Sequence, residues 1–261
     1  MGDVIRQSEL RVLLVPVLFA ATHALAALPD EIQVYTDDIE KPGAAGLELH
    51  MNTTPNGIGR PLFPGEVTTQ HGLRITPEFS YGLSRDFEAG LYLPTVFTDG
   101  RGSLAGYKLR LKWLPLQENP DTGGAFLGAN LEWSNISPRY LGARYNSELR
   151  LIGGYRNQDW LAAVNPIYDW ALSGNAPQPS PQFDLGYKVA RNVTEGVALG
   201  AEYYNDKGRW LHFDPASAQG KTLYFTVDVD RKPWVFNFGV GRGLNGTTDR
   251  WTAKAIFEIP F

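Results

Sequence analysis

Residues 107–113 read Tyr107-Lys108-Leu109-Arg110-Leu111-Lys112-Trp113. Four large apolar side chains alternate with three bases. Successive side chains of a strand point to opposite faces, so this spacing puts Tyr107, Leu109, Leu111 and Trp113 on one face. Lys108, Arg110 and Lys112 fall on the other. A helix would scatter both sets around its axis. The stretch is read as a strand with one face in an apolar medium and the other in a polar one.

Eleven more runs repeat the pattern: 47–52, 73–83, 87–93, 127–133, 149–155, 160–170, 183–189, 197–204, 223–229, 236–241 and 251–261. In all twelve, the charges sit on the polar phase, with Gly and Ser among them. A soluble sandwich would turn its apolar phase into a core. An outer-membrane barrel would turn it toward lipid and keep the charges in the lumen. Most runs approach the roughly ten residues that a tilted membrane strand needs, whereas sandwich strands average about five or six. The connections also alternate. Those at 83–87, 155–160, 189–197 and 229–234 are tight. Those at 55–72, 134–145, 172–181 and 205–221 are long and rich in Gly, Pro, Asn and Ser. Short turns at one end and long loops at the other are the barrel asymmetry.

The tryptophans agree. Trp113, Trp160 and Trp234 fall at run ends on the tight-turn side, and Trp133, Trp170 and Trp251 on the long-loop side. Indole favours the water–lipid boundary because its face is apolar while its N–H donates a hydrogen bond. Trp210 alone falls in a loop. The expected fold is all-β, a single closed antiparallel transmembrane barrel of about twelve strands.

The ends of the chain are read as addresses. Arg6 and Arg11, the apolar stretch 12–19 and Ala24-Leu25-Ala26 make residues 1–26 a secretory signal peptide. Residues 27–45 form a periplasmic segment, expected as a plug in the barrel mouth or a loose tail, and 46–261 the barrel. The last run ends on Phe261, and a terminal aromatic strand resembles the signal by which assembly machinery recognises outer-membrane barrels. The implied location is the outer membrane of a Gram-negative bacterium, with lipid as a partner.

Composition narrows the chemistry. The 261 residues include no Cys, which excludes disulfide scaffolds and thiol nucleophiles. A net charge of −4 argues against a nucleic-acid partner. His50, His71 and His212 have no second His at ligand spacing, so no metal or other cofactor is expected. No G-x-S-x-G elbow supports a lipid hydrolase, and the chain is not expected to be an enzyme. Gly239, Gly241 and Gly243 lie in a strand pattern, not before a helix, which fails the nucleotide-loop context.

The lumen is therefore the place to look for function. Its candidate permeation residues are Lys108, Arg110 and Lys112 as a basic stripe, Glu88 and Glu132 on the flanking runs, and His50, Glu78 and Arg150. Opposite charges on neighbouring strands should pair. Two outcomes are open. One is a narrow polar channel with a basic and an acidic wall, able to orient a dipolar or ionic solute. The other is a closed interior of salt bridges in a purely structural barrel. In either, charge on the lipid phase (Leu109→Arg) should be costly and loss of lumen charge (Arg110→Leu) milder.

The stretches GLELHMNTTPNG (46–57), PEFSYGLSRDFEAGLYLP (77–94), KLRLKWLPL (108–116) and PWVFNFGVGRGL (233–244) resemble a family of uncharacterised proteobacterial outer-membrane barrels, along nearly the whole mature chain. More loosely, YGLSRDFEAGLYLP (81–94) is similar to a turn in barrels named as channels of the phenol meta-cleavage pathway. The resemblance implies a channel or uptake protein for a small polar or aromatic solute. It carries no functional residue onto this chain.

Overall fold

The computed structural model describes residues 30–98, 100–118, 122–174 and 180–259. The expected signal peptide and Phe261 lie outside them. Among the described residues, fourteen of fifteen strand segments build twelve walls: β1 (Ala45–Asn56), β2 (Leu73–Gly82), β3 (Phe87–Tyr92) with β4 (Thr95–Thr98), β5 (Arg101–Leu104) with β6 (Gly106–Leu116), β7 (Gly124–Ile136), β8 (Tyr145–Arg156), β9 (Trp160–Ala171), β10 (Gln182–Thr194), β11 (Val197–Arg209), β13 (Gly220–Arg231), β14 (Trp234–Gly243) and β15 (Trp251–Glu258). β12 (His212–Phe213) only extends the hairpin that leaves β11. Neighbours along the chain pair antiparallel, and β1 pairs both β2 and β15, which closes the sheet. The third wall breaks at Leu93-Pro94, where proline offers no N–H to the ladder.

The register is the one the alternation demanded. Lys112 faces Glu88 across the β3–β6 ladder, and Arg110 faces Glu132 across β6–β7. Leu109, Leu111, Leu131, Phe225 and Val240 are exposed on the outside, whereas Lys108, Arg110 and Lys112 are buried inside. So complete an inversion of the soluble pattern leaves an apolar band around the barrel. On the area rule of roughly 25 cal/mol per Å², such a band favours an apolar surrounding.

Trp210 departs from its expected place in a free loop. The β11–β12 hairpin folds it back onto the barrel wall, with ring centroids 4.7 Å from Phe183 and 5.1 Å from Tyr168. It joins the aromatic girdle at the long-loop end. Periodicity could not show this, because the contact depends on a turn through Leu211 at φ 65°.

Candidate functional site

Residues 30–41 run through the lumen. The segment enters at the tight-turn end, where Pro42 bridges Gly82. A Cβ on Gly82 would stand 2.1 Å from the Lys41 carbonyl oxygen, so only glycine admits this approach. Glu40 donates its N–H to Glu88 Oε2 at 2.6 Å. Burial, with Glu88 and Glu48 nearby, raises the Glu40 carboxyl above its ordinary range. Higher up, Lys112 Nζ donates to the Asp38 carbonyl at 2.9 Å and Arg156 clamps the Asp37 carboxylate. Toward the long-loop end, Lys254 Nζ donates to the Ile32 carbonyl at 2.9 Å and Asn52 Nδ2 to the Asp30 carbonyl at 2.8 Å.

Tyr35 is the centre of this segment. Asn165 on β9 accepts from its N–H at 2.6 Å and donates to its carbonyl at 3.0 Å, reading the backbone as a strand neighbour would. Its hydroxyl meets the Tyr92 hydroxyl at 2.7 Å. The Arg150 guanidinium lies 4.3 Å from the ring centroid, a cation–π stack in a place closed to solvent. Val34 packs with Leu114, Phe126, Ile152 and Ala163 on the inner wall. These inward apolar residues give the segment a small core of its own.

All eight lumen candidates are brought together, but not as a free ladder. Lys108 is 3.1 Å from Asp30 and 3.7 Å from Glu132. Arg110 binds Glu78 at 2.8 Å and also Glu88. It can lie flat because it crosses Gly90, where a Cβ would meet its Nε at 2.6 Å. Lys112 is 3.6 Å from Glu88. His50 Nε2 lies 2.9 Å from Glu78 and 3.5 Å from Glu48. Arg150 is held by Glu148 at 2.9 Å and donates to the Gln33 carbonyl at 3.0 Å. The basic stripe is compensated on both flanks, and it holds the N-terminal segment.

A second cluster escaped selection as candidates. Lys254 meets Glu202 at 2.6 Å, and Lys188 lies 3.5 Å from Glu202 and 2.8 Å from Asp228. Period two had placed each in the lumen, but β15, β11 and β10 are too far apart in sequence for it to show that they converge.

Glu48, His50 and Glu78 offer one ligand atom each within 4.8 Å of one another, a spacing that suits a cation. Arg110 already supplies positive charge at Glu78, so the trio is accounted for by hydrogen bonding. His71 is exposed and bonded to Gln70 at 3.0 Å, and His212 is exposed in β12.

Above the segment, at the long-loop end, a cavity of about 320 Å³ is floored by Glu31, Ile32 and Gln33 and covered by the loop 57–72. Val67 of that loop bonds the Arg139 carbonyl at 2.9 Å, tying it to the short helix α1 (Pro138–Leu141). The opposite wall carries Asp169, Asp184 and Asp206.

No family model matches the chain, and no curated protein matches it in sequence. Solved structures do match in shape. An outer membrane channel from Pseudomonas putida F1 is 11% identical, with 88% of this chain and 100% of that one covered and a TM-score of 0.57. The NanC porin is 10% identical, covering 82% of this chain and 98% of its own, with a TM-score of 0.53. At such identities the likeness is one of fold. The barrel that the alternation implied is the barrel of these two proteins.

Proposed function

We propose that this chain is an outer-membrane channel or uptake protein for small polar or aromatic solutes, closed in its resting state by residues 30–41. One observation carries the reading. A continuous sheet with an apolar outside encloses a polar bore, and an extended segment held by polar contacts occupies that bore. A purely structural barrel has no need of a bore filled by a separate extended segment. A segment anchored mainly by hydrogen bonds and ion pairs can exchange those partners for water, which a packed apolar core cannot do. The family resemblance of residues 46–57, 77–94, 108–116 and 233–244 points the same way, as do the channel names of the two structural neighbours. The apolar band then faces outer-membrane lipid, the tight turns the periplasm, and the strand ending in Phe261 the assembly machinery.

Single-channel recording in planar bilayers tests this. The full mature chain should give rare conductance steps, and Asn165→Ala, which frees Tyr35, should give frequent ones. Silence from both would favour the closed structural barrel.

A further inference from the structure

The cavity holds charges that the closing segment does not use. Arg74, on β2, is 2% exposed. Its Nε is buried without a hydrogen-bond partner, and among the described residues no carboxylate lies within ion-pairing distance of its guanidinium. The acids whose fields reach it are engaged elsewhere. Asp30 pairs with Lys108 at 3.1 Å. Asp249 accepts from the Ile58 N–H at 2.8 Å and the Thr69 hydroxyl at 2.7 Å, and Glu66 accepts from the Leu62 N–H. A guanidinium taken out of water and left alone is unfavourable, and such local violations mark places where a ligand completes the site.

The complementary charge stands across the bore. β10 is six walls from β2 in the ring of twelve, hence diametrically opposite. It carries Asp184, and its neighbour β9 carries Asp169. Asp184 Oδ1 and Asp169 Oδ2 are buried without hydrogen-bond partners, and among the described residues neither acid has a cation in ion-pairing reach. Asp206 faces Asp184 in register and is hydrogen-bonded to it side chain to side chain, and Glu148 faces Asp169, so that wall is built of acids. Glu148 is spent on Arg150 at 2.9 Å, and Arg150 in turn on Tyr35 and Gln33. Arg74, Asp169, Asp184 and Asp206 all line the one cavity, with Ile167 and Tyr204 between them. A twelve-strand wall with strands about 4.8 Å apart and tilted about 40° is roughly 24 Å across. The two side chains and their hydrogen bonds leave several ångströms between the ligand's charges.

We infer that the cavity binds a zwitterion, with its anionic group on Arg74, its ammonium group on Asp169 and Asp184, and its body across the bore. The inference rests on the channel reading and names its solute class. A simple anion or cation satisfies one wall and leaves the other bare, whereas a zwitterion satisfies both.

The test uses the full mature protein in detergent and three probes of nearly equal size: triglycine, N-acetyltriglycine and triglycine amide. Titration calorimetry should show triglycine binding at least tenfold tighter than either capped form. Arg74→Gln should bring triglycine down to the level of the amide. Asp169→Asn with Asp184→Asn should bring it to the level of the acetylated peptide. Arg74→Lys should keep part of the preference for triglycine over the amide. Heat-modifiable migration reports folding. Should Arg74→Gln not fold, the ranking of the three probes on the unaltered protein decides alone. Equal binding of all three, or no binding to folded protein, overturns the inference. Bilayer recordings on the same samples separate the two claims: conductance without discrimination refutes the zwitterion site and leaves the channel, whereas discrimination without conductance refutes the channel and leaves the site.

Discussion

Asn165→Ala isolates the force that holds the N-terminal segment. Asn165 is 1% exposed and supplies both partners of the Tyr35 backbone, at 2.6 and 3.0 Å. The substitution leaves a buried N–H and a buried carbonyl unpaired, at about 1–3 kcal/mol each. Water entering the vacated space offsets part of this. A net penalty of about 3 kcal/mol falls on the docked state alone, because β9 keeps its backbone ladder with β8 and β10. At about 1.4 kcal/mol per tenfold change, the undocked population rises roughly a hundredfold. The chain has no cysteine, so a thiol at Val34→Cys is a single reporter. Val34 is 3% exposed, and a water-soluble maleimide can reach a thiol there only through undocking. Its labelling rate should rise by about two orders of magnitude when Asn165→Ala is added, while heat-modifiable migration stays that of a folded barrel. A change of less than threefold would refute the reasoning, and docking would then rest on the ion pairs.

Gly82→Val should also expel the segment, since its Cβ would fall 2.1 Å from the Lys41 carbonyl oxygen; the same labelling assay at position 34 reads it. Leu109→Arg places a charge on the exposed outer face and should cost about 2–4 kcal/mol in detergent unfolding titrations. Arg110→Leu, expected from the sequence to be milder, should cost a comparable 3–5 kcal/mol, because it strips Glu78 and Glu88 of their buried partner. Lys254→Met should destabilise by about the same amount, by leaving Glu202 short of one of its two cations and the Ile32 carbonyl without its donor. Equilibrium unfolding measures both.

The wall was legible because it obeys a rule of period two, and the rule is enforced at every position by a change of solvent. Leu109 and Arg110 are neighbours in sequence and opposites in environment, and no other regular structure separates them so completely. The closing segment was less legible. Residues 31–36 alternate weakly, but what fixes them are partners more than a hundred residues away: Asn165 for Tyr35, Arg150 for Gln33. Cross-bore pairing obeys no period, so Lys254 and Glu202 read only as two lumen charges until the sheet closed. For the same reason the basic stripe suggested a basic channel wall. From one strand the stripe is unopposed, whereas in the closed ring Glu78, Glu88, Glu132 and Asp30 meet it.

The distribution of paired and unpaired charge then separates two jobs within one bore. Around residues 30–41 nearly every buried cation has a carboxylate, as stability requires of charges removed from water. Above the segment the ion pairing stops: among the described residues Arg74 has no carboxylate in ion-pairing reach on one wall, and Asp169 and Asp184 have no cation on the other. On the proposed channel reading, a transverse dipole beneath the loop 57–72, directly above a segment held by exchangeable contacts, is what a solute meets before reaching the closure. The same arrangement makes solute binding and undocking neighbours in space, through Glu31 and Gln33, which belong to the cavity floor and to the segment at once.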